Sequence, residues 1–269
     1  MHSTEQATVN SPAARRARLS VTIIAKNEER TIGDVLRAVQ PIADEIIFLD
    51  SGSTDRTIEI AQSMGVDVRH QDWLGYAAQK NKAIELAQGD WILSLDADEV
   101  LTSDLIDEIA SILDSAVPET VAGYKIPRLL FIGNEPVRRG GFYPDAQLRL
   151  FRRGRGMFEP RAVHEAVRVE GEVLRLHSDM LHYSYRNVEQ FSAAMEKYAE
   201  LSAQHYLSKS GLKWRSHPLN EALHPIWTFF YRMTIRGGLL GGPLCWRLNL
   251  IYADYVRKKI RYLRELTRR

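Results

Sequence analysis

Apolar residues fall along this chain in short runs that alternate with helix-period stripes. Leu19-Ser-Val-Thr-Ile-Ile-Ala25 is apolar and rich in β-branched residues, the pattern of a buried strand, and Ile32, Val35, Leu36 and Val39 then recur at helical spacing as far as Pro41. Asp44-Glu-Ile-Ile-Phe-Leu-Asp50 reads as a second strand. Ile58 to Met64 reads as a helix stopped by Gly65, Val66-Asp-Val-Arg-His70 as a short strand, and Tyr76 to Gln88 as a helix stopped by Gly89. A further run, Trp91-Ile-Leu-Ser-Leu, ends abruptly in acid at Asp96. This repeated strand-helix rhythm predicts an α/β fold, a mostly parallel sheet flanked by helices.

The rhythm then changes. Leu101-Thr-Ser103 caps a helix whose Leu105, Ile109, Ile112 and Leu113 form one stripe. From Thr120 to Tyr185 short strands are separated by Gly133, Gly140-Gly141, Pro144, Gly154, Gly156 and Gly171, which predicts a mixed or antiparallel extension. Asn187 opens a helix running to about Leu207, and its Val188, Phe191, Met195 and Tyr198 stripe reads as core. The chain divides into a flexible lead-in over residues 1–18, an α/β domain over 19–210 and a helical C-terminal region over 211–269. The lead-in is polar and Ala/Arg-rich, without the apolar segment of a signal peptide.

Composition narrows the class. With 45% hydrophobic and 26% charged residues, the 269-residue chain has the make-up of a globular protein able to bury a core. Cys245 stands alone, which excludes an internal disulfide framework and fits a reducing, cytoplasmic compartment. A net charge of +2 conceals an asymmetry: residues 232–269 hold ten Lys/Arg against two acids, a local +8 that leaves −6 elsewhere. There the aromatic and aliphatic runs Ile226 to Tyr231, Leu239-Leu240 and Leu248 to Tyr255 are mixed with arginines. None approaches the ~18 apolar residues of a transmembrane helix. The region therefore reads as amphipathic helices lying on an anionic membrane surface, or as a helical hairpin packed on the domain with its charges in solvent. No nucleic-acid motif accompanies the basic residues, so nucleic acid is not an expected partner.

Candidate chemistry concentrates at Asp96-Ala97-Asp98-Glu99. Two carboxylates spaced i, i+2 where a strand ends can turn toward one divalent cation, and hard oxygen ligands suit Mg²⁺ or Mn²⁺. Such sites are completed by substrate phosphates, which points to a phosphorylated donor. The competing reading is a solvated turn in which Asp98 caps the next helix. The first strand-helix turn holds no glycine before Gly33, which argues against a dinucleotide-binding fingerprint.

Four stretches in register, Ser20-Val-Thr-Ile-Ile-Ala-Lys-Asn-Glu-Glu29, Phe48-Leu-Asp-Ser-Gly-Ser-Thr-Asp55, Gln79-Lys-Asn81 and Gly89-Asp-Trp-Ile-Leu-Ser-Leu-Asp-Ala-Asp98, resemble the family 2 glycosyltransferases. The resemblance covers roughly residues 19 to 186. More narrowly, Tyr143-Pro-Asp-Ala-Gln-Leu-Arg-Leu-Phe151, Val163-His-Glu165 and His182-Tyr-Ser-Tyr-Arg186 resemble the lipopolysaccharide inner-core glucosyltransferase branch. The resemblance implies a GT-A fold, with a nucleotide-sugar half over 19–115 and an acceptor half over 116–210. It also implies a nucleotide-sugar donor (UDP-glucose), a divalent cation and inversion at the anomeric carbon.

By position, the resemblance places Glu28 near the nucleotide, Asp50 at the uracil or ribose, and Lys80 at the nucleotide or its diphosphate. Asp96 would lie by the ribose or metal, and Asp98 would bind the metal. His182 is either a third metal ligand or a buried structural histidine, and Arg149 either clamps phosphate or lines a strand edge. Glu165 is the candidate base on the acceptor hydroxyl, with Asp145 competing. The chain departs from the family pattern at Asp50-Ser51, where many relatives carry two acids. The implied acceptor is a lipopolysaccharide-core sugar or another cell-envelope glycolipid at the cytoplasmic face of the inner membrane. Two alternatives stand beside it: transfer to a polyprenyl phosphate, and a nucleotide-sugar-binding or scaffold protein that has lost catalysis.

Overall fold

The computed structural model describes residues 15–159, 166–208 and 217–268. Four parallel strands form its centre: β1 (Leu19–Ala25), β2 (Glu45–Asp50), β3 (Val68–His70) and β4 (Trp91–Asp96). Between them run α1 (Ile32–Val39), α2 (Thr57–Ser63) and α3 (Tyr76–Glu85). After β4 come the short β5 (Glu99–Leu101) and α4 (Ser103–Asp114), whose first turn is capped by the Thr102 hydroxyl accepting from the Leu105 amide. The expected strand-helix alternation is present, with element ends moved by one to three residues.

Residue alternation along the central strands divides the core in two. Val21, Ile23, Leu93 and Leu95 join α1, α2 and α4 in one cluster, while Ile24, Ile92 and Phe151 meet Ala83 and Ala87 beside α3 in another. Both faces are buried, which is why these strands read as nearly continuous apolar runs.

The extension is mixed, as the Gly/Pro-punctuated region predicts. It comprises β6 (Val121–Ile126), β7 (Arg128–Ile132), β8 (Glu135–Pro136), β9 (Gln147–Arg152), β10 (Gly156–Glu159), β11 (Ala166–Val169), β12 (Glu172–Arg175) and β13 (Met180–Tyr185). The main sheet has the order β12-β6-β9-β4-β1-β2-β3, with β9 antiparallel to both of its neighbours, and a second sheet has the order β5-β13-β7-β8. In the second sheet β13 lies antiparallel to β5 and sets His182 opposite Glu99, so the second sheet is joined directly to the turn at the end of β4.

Three helices complete the described chain: α5 (Val188–Ser208), α6 (Pro218–Met233) and α7 (Gly242–Arg268). The boundary drawn at residue 210 falls between α5 and α6, two helices that both pack on α7. Tyr262 donates to Glu196 at 2.8 Å, Ser202 and Tyr255 are hydrogen-bonded at 3.2 Å, and Arg261 donates to Glu221 at 3.1 Å. Among the described residues no helix is long and apolar enough to cross a membrane.

Leu93 is 0% exposed at the middle of β4. Leu93→Ala should destabilise the fold by about 2–5 kcal/mol, the cost of lost burial plus a cavity. Urea unfolding checks this as a lowered midpoint at unchanged slope.

Candidate active site

The parallel register brings the C-terminal ends of β1, β2 and β4 to one edge, with Ala25 beside Asp50 and Ile24 beside Asp96. Ligand crevices in open α/β sheets form at this edge. Two loops there are stitched together. Asn27 sits in the left-handed region at φ 59°, where its amide donates to Ser53 Oγ at 2.9 Å and its Oδ1 accepts from the Thr54 amide at 2.7 Å. Thr31 Oγ1 donates to the Ala97 carbonyl at 2.8 Å, tying the start of α1 to the acidic turn.

That turn separates the two aspartates expected to share a cation. Asp96 accepts from Lys80 Nζ at 2.7 Å and from Arg149 Nη2 at 2.6 Å. Its surroundings desolvate it, which alone would raise its pKa, but Lys80 and Arg149 outweigh this and hold the carboxyl well below the usual carboxylate range. Lys80 and Arg149 are themselves buried. Lys80 Nζ also lies 5.0 Å from the centre of the Phe158 ring, and α3 is joined to β10 by Asn81, which donates to the Phe158 carbonyl and accepts from its amide.

Asp98 lies on the other side, with Oδ2 3.4 Å from His182 Nε2. The Tyr183 amide donates to the Asp98 carbonyl at 3.0 Å, which fixes β13 against the turn. The carboxylate-imidazole spacing is longer than a charge-assisted hydrogen bond. Glu28 is close enough for the Asp98 charge to act on it. Burial, then repulsion from Asp98, pushes Glu28 up to about 7, against the opposing Thr31 hydroxyl and Arg30. Among the described residues no group of three or more His, Cys, Asp and Glu forms a metal cage. A cation completed by substrate phosphate needs only one or two protein ligands, and a carboxylate facing an imidazole is a chemically suitable pair. Asp98 and His182 therefore fit the implied Mg²⁺ or Mn²⁺.

Other expected residues are placed differently. Asp50 is 1% exposed, and its Oδ2 accepts from the amides of Gly52 and Ser53, both at 2.8 Å, while Oδ1 accepts from Ser53 Oγ. Rather than being presented to a base, it organises its own turn, the habit of Asp before Ser and Gly. Asp145 accepts from Arg128 Nε at 3.1 Å and from Gln147 at 2.7 Å. Partial burial would raise its pKa, but Arg128 prevails and lowers it, which makes Asp145 a weak base. Glu165 lies outside the described residues.

Sequence reasoning gave no role to Glu99 and did not single out Arg128. Glu99 is 0% exposed and accepts from Arg149 at 2.7 Å, from Arg128 at 3.0 Å and from the Asp96 amide at 3.1 Å. Its one signal was adjacency: a third acid after Asp98, at the start of a strand that could not stay buried unpaired.

A family model, Glycosyl transferase family 2, matches residues 20–127. A glycosyltransferase of Rickettsia bellii is 32% identical over 260 residues, covering 93% of this chain and 87% of that one. The chain belongs to glycosyl transferase family 2. The lipopolysaccharide core biosynthesis glycosyltransferase LpsC of Rhizobium meliloti resembles this family 2 glycosyltransferase at 31% identity over 239 residues, 86% of this chain and 84% of LpsC. Among solved structures, the mannosyltransferase PcManGT of Pyrobaculum calidifontis, in complex with GDP-Man and Mn²⁺, matches with a TM-score of 0.53 at 15% identity, over 94% of this chain and 89% of that one. At that identity the likeness shows the fold, which is GT-A.

The raised Glu28 gives a pH test on metal-free protein. In the unfolded chain Glu28 ionises near its ordinary pKa, whereas in the folded chain it holds its proton up to about 7. Its contribution is therefore most favourable in acid and is lost as pH rises through that window. Glu28→Gln should raise the melting temperature at pH ~8 and leave it nearly unchanged at pH ~4. Equal differences at both pH values would show that Glu28 is not held neutral.

Proposed function

We propose that this glycosyltransferase is metal-dependent and inverting, and that it moves glucose from UDP-glucose to a lipopolysaccharide-core sugar or another cell-envelope glycan. The likeness to LpsC over most of both chains supports the acceptor class. The observation that carries the donor site is the divided turn at the end of β4, with Asp98 and His182 on one side and Lys80, Asp96 and Arg149 on the other.

That division gives each side a task. Asp98 and His182 would hold the divalent cation, which when bound supplies Lewis-acid stabilisation of a diphosphate leaving group. Lys80 and Arg149 offer positive charge on the opposite side. Asp96 orients both cations in advance, so little reorganisation is needed when charge develops on the leaving oxygen. Glu99 and Arg128 back this arrangement from behind. Inversion requires a base on the acceptor hydroxyl. Arg128 weakens Asp145 for that task, which favours Glu165.

A thermal-shift panel of UDP, GDP, CDP and TDP, with and without Mn²⁺, tests the donor site. A nucleotide at ~100 times its dissociation constant adds about 2.7 kcal/mol, on the order of 5–10 °C for a chain of this size. UDP with Mn²⁺ should give this shift in the wild type and lose it in Asp98→Asn. No shift with any nucleotide and metal would overturn the assignment and favour a scaffold.

With the donor site established, Glu165→Gln distinguishes acceptors. Loss of glycosyl transfer by about 10²–10⁴-fold with donor binding intact is expected for a sugar hydroxyl acceptor. Retained transfer would point to an acceptor that is already ionised, such as a polyprenyl phosphate.

A further inference from the structure

Among the described residues, eleven of the seventeen exposed large apolar side chains lie between Leu219 and Leu250. Within α6 the residues Leu219, Leu223, Ile226, Trp227 and Phe230 recur at i, i+4, i+7, i+8 and i+11, a single helical stripe, each 61–67% exposed. The turn that joins α6 to α7 carries Ile235, Leu239 and Leu240 at 73%, 52% and 77% exposure. It is a glycine-rich tip in which Gly237 and Gly242 adopt φ of 66° and 73°. Trp246 and Leu250 continue the apolar surface onto α7.

The packing of α6 uses other residues. Pro225 and Met233 are buried, and Glu221 meets Arg261 at 3.1 Å and Arg264 at 2.8 Å. Arg232 lies 4.0 Å from the centre of the Tyr252 ring and 4.4 Å from that of Phe142. The stripe is thus left outward by a helix already anchored through its opposite side.

Charge selects the occupant. Glu221 is the one acid between Leu219 and Leu250, and its side chain is 13% exposed and paired. Arg236 is exposed within the tip, and Arg247 is exposed on α7, where it meets Glu189 at 3.7 Å. The exposed acids bordering this surface, Glu189 beside Arg247 and Glu135 in the recess that Leu240 lines with Arg138 and Arg139, lie next to cations. An apolar, aromatic-bearing surface with a cationic tip therefore complements an anionic bilayer interface. A second copy of the chain would bring the same cationic tip against itself in a symmetric contact.

We propose that the α6 stripe and the α6–α7 tip form a membrane-docking surface, with Ile235, Leu239 and Leu240 entering the acyl boundary of an anionic bilayer and Arg236 meeting its phosphates. The docking surface is independent of the transferase reading, because vesicle binding needs neither nucleotide nor metal.

Flotation of the full chain with phosphatidylcholine vesicles, with and without phosphatidylglycerol, tests it. The wild type should float with the anionic vesicles and about tenfold less with phosphatidylcholine alone or at high salt. Ile235→Glu/Leu239→Glu/Leu240→Glu should lose about tenfold or more of the anionic-vesicle binding, because each change places a carboxylate in the acyl region. Its melting temperature should match the wild type, since all three side chains are exposed. Leu174→Glu, an exposed apolar site on β12, should float like the wild type. Absence of wild-type flotation, or equal flotation of the triple variant, overturns the docking surface. A wild-type dimer that the triple variant converts to monomer, without flotation of either, would make this face a contact between copies.

Discussion

The site depends on a buried carboxylate, Glu99, that could not be in the core alone. An ionised group with no partner there would cost several kcal/mol, so its burial at 0% exposure requires the two guanidinium groups that reach it. Arg149 carries the pairing on to Asp96, Asp96 to Lys80, and Arg128 to Asp145. Three acids and three cations thus form one chain of contacts from α3, across the end of β4, to β7 and β9. Removing Glu99 would leave Arg128 and Arg149 without the buried carboxylate that both of them reach. The network thus ties α3 and the end of β4 to β7 and β9 through charge as well as through apolar packing.

Much of the scaffold was legible in the sequence, because a strand buried on both faces must be apolar along its length and must end where it meets solvent. Leu19–Ala25 and Trp91–Asp96 have that form, and their carboxyl ends mark the crevice. The division of Asp96 from Asp98 was not legible. The i, i+2 spacing was read as two carboxylates turning to one cation where the chain leaves the strand, and β4 does end at Asp96. The partners each carboxylate meets there, however, Lys80 and Arg149 for Asp96 and His182 for Asp98, come from elements distant in sequence. The role of Asp50 at the uracil or ribose was what the resemblance implied, whereas Ser51-Gly52-Ser53 after it carried the local signal of the turn that its carboxylate organises. Lys80 and Arg149 were read as cations for phosphate; that each would first be held by Asp96 depends on long-range pairing between α3, β4 and β9, which local pattern does not encode.

The helical layer shows the same limit. Of the stripe Val188, Phe191, Met195 and Tyr198 on α5, Phe191 is buried and the other three are half-buried, and an amphipathic face does not name its partner. Phe191 and Met195 meet Leu248 and Ile251 of α7 together with Ile132 and Val137 of the second sheet. α5 therefore bridges the second sheet and α7. Binary pattern predicts how much surface a helix must hide, whereas topology decides against what.

The electrostatics of the crevice follow from what the network leaves out. Its own charges balance, so Asp98 and Glu28 remain as acids without an ion-paired lysine or arginine among the described residues. Burial first, and then repulsion from Asp98, keeps Glu28 protonated to about 7, so the two acids do not both carry charge below that pH. Beside them Lys80 and Arg149 are neutralised by Asp96 at rest. A crevice with a negative side and a balanced cationic side matches an incoming diphosphate accompanied by a divalent cation better than either alone. A divalent cation bound beside Asp98 would compensate a carboxylate that is paired with no arginine among the described residues, and a diphosphate would meet cations that Asp96 already holds in place. The division of the acids matters for the proposed donor complex, since a lysine or arginine paired to Asp98 would have neutralised the side on which Asp98 and His182 face each other.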